Sequence, residues 1–371
     1  MRLRRAAQVM TASLVLLSSG VAHAASWQAT VALPMTTEHD SNPRLDAEDE
    51  KGVTRTTIAP DYTLIGAFGL DELRFGIGLN LERSSDQSIA LDREDPKLLL
   101  GWQRETERGG FGLTAKYDES STLFSELEET GVVAGDGTRK KYKLAGNWRA
   151  AISERSTLAS DADYTRVRYD VDSLTSYDEL STKFSWSYGW SELLEPYAEV
   201  SLSRYEPVGE TVTASSTRYG PMSGLRFSIS EQLQGVLRAG VNQVSGDEGG
   251  PSWQGGFELS YIGERFDTSI DVGRSTITSG EGGFTEVSQL RASWSYAVSE
   301  TLRAGLDASL QDSKSTAPNT MRQINLWASQ ELSPFWVARL SLAYRQRQQD
   351  DRPDASANVL GVTLIYNHPD F

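Results

Sequence analysis

The chain has no cysteine in its 371 residues, which excludes disulfides, thiolate nucleophiles and zinc sites built on thiolates. Histidine is nearly as scarce, at three, so the side chain most often used as a general base is almost missing. Beyond the N-terminal segment no apolar run reaches the roughly 18–20 residues that a spanning helix needs. Positive charge is also in short supply: 36 Lys and Arg stand against 51 Asp and Glu, a net charge of −15. So acidic a chain lacks the basic footprint of a general nucleic-acid binder. Mean hydropathy is −0.42 and hydrophobic residues make up 38%. These averages fit a soluble protein. They fit a membrane β-barrel equally well, because only every second residue of its strands faces lipid.

The N-terminus carries an address. Arg2, Arg4 and Arg5 precede an apolar core from Val9 to Leu17, and Ala22-His23-Ala24 follows. A basic n-region, a short h-region and an Ala-x-Ala site predict a secretory signal peptide over residues 1–24. Residues 25–371 are then one mature domain, with a charge of about −18 once the three arginines are gone.

What the body does contain is alternation. From Gln289 to Gln311, Leu290, Ala292, Trp294, Tyr296 and Val298 take one side and Arg291, Ser293 and Ser295 the other. After the Ser299-Glu300 break, Leu302, Ala304, Leu306, Ala308 and Leu310 repeat the pattern against Arg303, Gly305 and Asp307. Period two is the signature of a strand with one apolar and one polar face, so this is a hairpin. The unit recurs from Trp27 to Tyr366 in about eighteen arms, with Trp27–Thr37 first, Val53–Ala67 second and Asn358–Tyr366 last. Short connections such as Gly69–Glu72, Ser153–Ser156 and Ser299–Thr301 alternate with long ones such as Glu38–Gly52, Ser84–Asp95 and Ser120–Thr138. Short turns on one side and long loops on the other are the pattern of a transmembrane antiparallel up-and-down barrel, with both termini at the short-turn side. Aromatics near arm ends, at Tyr188, Trp190, Trp294, Tyr296, Phe335 and Trp336, read as an interface girdle.

On this pattern the chain resembles Gram-negative outer-membrane β-barrel proteins. Its closing arm carries Leu360, Val362, Leu364 and Tyr366 in alternation, and Phe371 ends the chain. The resemblance implies that these residues are the signal read by the barrel-assembly machinery. Phe371 has the opposite parity, and Pro369 cannot donate a ladder hydrogen bond. Asp40-Ser41-Asn42 after the first arm, the acidic loops and the Ser-Glu turns look like proteobacterial barrels associated with exopolysaccharide export. That likeness implies partners in outer-membrane lipid, lipopolysaccharide and a periplasmic polysaccharide-export protein.

The polar face holds the candidate functional residues. Arg74, Lys97, Lys116, Lys141, Lys143, Arg149 and Lys183 fall on it in the first half of the chain. Arg226, Arg238, Arg291, Arg303, Arg339, Arg345 and Arg347 follow in the second. Inward acids are fewer on this count: Glu82, Asp118, Glu199, Glu258, Asp267, Asp271 and Asp307. Cross-lumen pairing would merely stiffen the wall, whereas an excess of bases would draw in anions. Catalysis finds little support. Glu38-His39-Asp40 at the top of the first long loop is the one conceivable metal or hydrolase site, and no cofactor motif is present. The expectation is therefore an outer-membrane conduit without covalent chemistry, first for export of an acidic exopolysaccharide. The alternative is a porin for small anionic solutes, in which Ser120–Thr138 folds inward as a constriction. A rim enzyme using His39 and a structural or adhesive barrel remain as other classes.

Overall fold

The computed structural model describes residues 26–131, 135–209, 214–246, 249–314, 318–349 and 352–368. The expected signal peptide and Phe371 lie outside the described residues. The strands in chain order are β1 (Ser26–Asp40), β2 (Val53–Ile58), β3 (Asp61–Phe68), β4 (Asp71–Ser84), β5 (Arg93–Thr106) and β6 (Gly109–Ser121). A short helix, α1 (Thr122–Glu129), separates these from β7 (Thr138–Ala151), β8 (Ser156–Tyr169), β9 (Tyr177–Tyr188) and β10 (Leu194–Pro207). Then come β11 (Ser216–Ser228), β12 (Leu233–Ser245), β13 (Pro251–Ile262), β14 (Phe266–Thr278) and β15 (Phe284–Ala297). The last four are β16 (Leu302–Lys314), β17 (Asn319–Ser333), β18 (Trp336–Gln349) and β19 (Arg352–His368).

Apart from β2 and β3, each strand pairs antiparallel with its chain neighbour, and β1 closes the barrel on β19 through a register running from Val31↔His368 to Asp40↔Val359. Closure leaves no sheet edge, so every backbone donor and acceptor of the wall can be satisfied within the protein, as a hydrocarbon environment demands. β2 and β3 both pair with β1 and β4. They are one stave broken at Ala59-Pro60, where proline has no N–H to give the ladder. The nineteen segments therefore make eighteen staves, and the predicted arm Val53–Ala67 is a single stave with a kink.

The apolar parity faces outward. Leu100, Leu113, Leu144 and Leu180 are each more than half exposed, an arrangement stable in a membrane and not in water. At the short-turn end, serines organise the chain reversals. Ser153, Ser230 and Ser299 hydroxyls accept hydrogen bonds from the backbone N–H of Ser156, Leu233 and Leu302, three residues on, at 3.0–3.1 Å. Such side chain–backbone bonds stand in for a backbone turn, which accounts for the recurrent Ser-Glu pairs. On the inner face large rings lie over small partners. Gly305 pairs with Trp327, and a Cβ at Gly305 would sit 2.4 Å from that ring and 2.7 Å from the Trp294 carbonyl oxygen. Glycine is required there by close approach.

Candidate functional site

β6 delivers the chain at the long-loop end, where the loop predicted as a constriction turns inward as α1. Leu123, Glu126 and Leu127 share one face of this helix at i, i+3, i+4 spacing and are buried, while Phe124 and Glu128 line a lumen cavity from another face. The Thr122 hydroxyl accepts from the Gly137 N–H at 2.8 Å, which pins the helix start. At its end Gly131 adopts φ +74° and donates to the Leu127 carbonyl at 3.1 Å. That left-handed residue satisfies a terminal carbonyl as a helix C-terminus requires.

α1 crosses the barrel as a chord. Its start is held through Gly137, whose carbonyl accepts from the Thr122 N–H at 3.0 Å and from the Arg93 guanidinium at 2.7 Å, while Arg139 on β7 lies 2.8 Å from Glu129 at its C-terminal end. Its far side packs Leu127 against Leu45 of the first loop, Met321 on β17 and Ala355 and Ala357 on β19. The Glu129 carbonyl accepts from Gln311 of β16 at 3.2 Å. Arg55 on β2 lays its guanidinium 3.7 Å above the Phe124 ring and pairs with Glu38 and Glu82. Glu126 is almost wholly buried, accepts from the Tyr169 hydroxyl at 2.7 Å and lies 3.9 Å from Arg139. Burial raises its carboxyl above the ordinary carboxylate range, with Arg139 and Tyr169 opposing that shift.

Two further loops complete the mouth. The first loop inserts Leu45, fully buried with φ +47°, and its carbonyl accepts from Arg347 at 2.7 Å. The β14–β15 loop reaches across to the β8–β9 loop, where Thr175 N–H donates to the Gly280 carbonyl at 2.6 Å. Phe284 beside it packs on a buried cluster of Val167, Tyr177 and Tyr205. Below the helix a cavity of about 820 Å³ is bounded by Phe124, Glu128, Asp271, Arg291, Asp307 and Arg345. A second, of about 320 Å³, is bounded by Asp118, Glu128, Glu129, Arg139, Lys141 and Arg291. Glu128 and Arg291 line both, and so stand where the two cavities adjoin.

The fourteen basic candidates lie on the inner parity of their strands, but the lumen is not the basic sleeve expected. Nine of them have a carboxylate within 4 Å: Arg74, Lys141, Lys143, Arg149, Lys183, Arg226, Arg238, Arg303 and Arg345. Arg347 is spent on the Leu45 carbonyl and Arg339 sits 4.3 Å over the Trp327 ring. Among the described residues, Lys97, Lys116 and Arg291 alone of the fourteen have no such ion pair, ring or hydrogen-bond partner. The physical reason for the correction is that further acids share the inner parity: Glu38, Asp40, Asp95, Asp161, Asp163 and Glu179. Glu38 and Asp40 fall in the predicted first loop, but β1 runs to Asp40, beyond the predicted arm end, and sets both on the inner parity. Asp161 and Asp163 lie in an arm whose apolar face is interrupted by Ser160, which hid their parity.

His39 also moves. It stands in β1 on the outer face with its Nδ1 3.1 Å from the Thr54 hydroxyl, while Glu38 and Asp40 point inward to Arg55 and Arg345. Alternation splits the supposed triad, and no metal-holding cluster occurs among the described residues. Leu360, Val362, Leu364 and Tyr366 take the outer parity of β19, and the Tyr366 ring lies 5.0 Å from Trp336. The predicted last arm is longer than expected, running from Arg352 to His368.

No protein-family model and no curated protein matches this chain. Solved structures do. A BenF-like porin from Pseudomonas fluorescens aligns over 93% of this chain and 99% of its own, with TM-score 0.53 and 9% identity. Pseudomonas aeruginosa OccK5 (OpdH) aligns over 92% and 98%, with TM-score 0.52 and 11% identity. OccAB3 of Acinetobacter baumannii covers 93% and 99% with TM-score 0.51 and 9% identity. At such identities the likeness is one of fold. The architecture is that of Gram-negative outer-membrane porins: a closed eighteen-stave barrel whose apolar belt faces the membrane.

Proposed function

We propose that the protein is an outer-membrane channel for small polar solutes that carry a carboxylate, working by diffusion and without covalent chemistry. One observation carries this: α1 lies inside the lumen, packed on Leu45, Met321, Ala355 and Ala357, and takes up part of its cross-section. A helical chord of that kind suits molecules of a few ångströms' width and opposes a polysaccharide strand, so the porin reading is preferred to exopolysaccharide export. The likeness to a BenF-like porin supports the same choice at the level of fold. Glu128 and Glu129, the latter paired with Arg139 and Lys141, line the same cavity as Arg291, which sets charge of both signs around it in place of a uniform positive field. Such a field orients dipolar solutes and is felt strongly where low-dielectric walls focus it. Placement in the outer membrane with the long loops outside follows from the same architecture.

Purified protein in planar bilayers should give discrete steps with weak ion selectivity. Arg291→Ala should enlarge the steps and shift the reversal potential toward cations. Liposome swelling should be faster with small carboxylates or amino acids than with oligosaccharides. Strong anion selectivity, or swelling with long glycans, would overturn the proposal.

A further inference from the structure

Most inward charges of the lumen are matched by a neighbour, but one row of the wall is matched only at its ends. Across β14 to β18 the register sets Asp271, Arg291, Ser309, Gln323 and Arg345 opposite one another in turn. Asp271 accepts from the Gln289 amide at 3.3 Å and lies 3.8 Å from Arg238, and Arg345 lies 2.7 Å from Asp40. The three side chains between them make no hydrogen bond or ion pair among the described residues. They present a guanidinium, a hydroxyl and an amide on neighbouring strands, about 5 Å from one strand to the next. The adjoining row brings Ser293, Asp307 and Asn325 alongside. Asn325 donates to Asp307 at 3.2 Å, which leaves that carboxylate with lone pairs for a further donor.

Both rows line the cavity of about 820 Å³, within the roughly 300–1,000 Å³ usual for small-molecule sites. α1 bounds it from another side with Phe124 and Leu127, and Met321 on β17 adds apolar surface. The Phe124 ring is held by the Arg55 guanidinium, 3.7 Å from its centre. The cavity thus offers apolar contact on one side, and on the other a cation followed by neutral donors and acceptors. A plain fatty acid would leave Ser309, Gln323 and Asp307 unused. A neutral sugar would leave Arg291 without a counter-charge. A sugar acid uses all of them. Its carboxylate meets the guanidinium fork in bidentate fashion, and its hydroxyls both donate and accept along the amide, serine and Asp307. Its C–H face then packs on Phe124 and Met321.

We infer that Arg291, Ser309 and Gln323, with Asp307 beside them, form a binding site for a monosaccharide acid, a ring that bears one carboxylate and several hydroxyls. This deepens the channel reading and rests on it for the passage of such a solute. The test is a saturation-transfer NMR titration of the detergent-solubilised barrel with D-glucuronate, D-glucose and hexanoate, which share a six-carbon frame. Glucuronate should bind at least about tenfold tighter than either of the others, because each of them forfeits one half of the contacts. Arg291→Gln should weaken glucuronate about tenfold and leave glucose unchanged. Gln323→Leu should weaken glucuronate and glucose severalfold and leave hexanoate unchanged. Hexanoate binding as tightly as glucuronate would overturn the sugar assignment. Unaltered glucuronate binding in Arg291→Gln or in Gln323→Leu would overturn the site. Single-channel steps in plain salt separate the two readings. Steps without glucuronate binding would sink the site alone, and glucuronate binding without steps would sink the channel alone.

Discussion

Shortening Leu127 to alanine loosens the lumen helix without touching the barrel's hydrogen-bond ladder. The side chain is buried among Leu45, Met321, Ala355 and Ala357. Leu→Ala changes in packed cores cost about 2–5 kcal/mol, and a site at a water-filled mouth falls at the low end, about 2–3 kcal/mol. At 1.36 kcal/mol per decade, the ratio of docked to undocked helix falls roughly 30- to 150-fold. Single-channel records should then show a larger-conductance state visited more often by about that factor. The absence of cysteine gives an independent reporter. Ser125, whose hydroxyl is buried in the docked helix, can be made the sole cysteine, and its labelling rate should rise in step with the new state. Labelling that accelerates while step size and dwell times stay unchanged would show that α1 undocks without widening the passage, and would refute its role as the constriction.

Three other outcomes follow from the geometry. Burial holds the Glu126 carboxyl above its ordinary range against the opposing pull of Arg139. Its neutral form therefore supports the docked loop fully below the ordinary carboxylate value, and that support is lost as pH rises through the raised one. Open-state lifetimes should shorten on acidification below neutrality, and Glu126→Gln should flatten this dependence; an unaltered pH profile in the variant would assign it to another group. Gly305→Val drives a side chain into the Trp327 ring and the Trp294 carbonyl, so the temperature at which the folded band is lost on semi-native gels should drop, for a cost of about 1–3 kcal/mol. Breaking the kinked stave further, by Arg55→Ala, leaves Glu38 and the buried Glu82 without their guanidinium. Loss of the barrel fold is not expected, but α1 should loosen as in the Leu127 variant, read by the same Ser125 label.

Alternation such as that of Leu290 to Val298 was sufficient to place strands, count staves and name the lipid face, because a period of two maps sequence parity directly onto one side of a wall. Alternating connection lengths sorted the turns by end of the barrel for the same reason: an up-and-down wall returns to the same end at every second connection. The loop Ser120–Thr138 could be named as the candidate for folding inward by its length alone. That it forms a helix and lands on Leu45, Met321 and Ala355 could not, since those contacts join Leu127 to residues 82, 194 and 228 positions away across a lumen. Charge was legible residue by residue but not as a balance. Arg345 reads as an inward base, yet only closure of β1 on β19 brings Asp40 to 2.7 Å from it, because parity fixes the face of a side chain and tertiary structure fixes its partner.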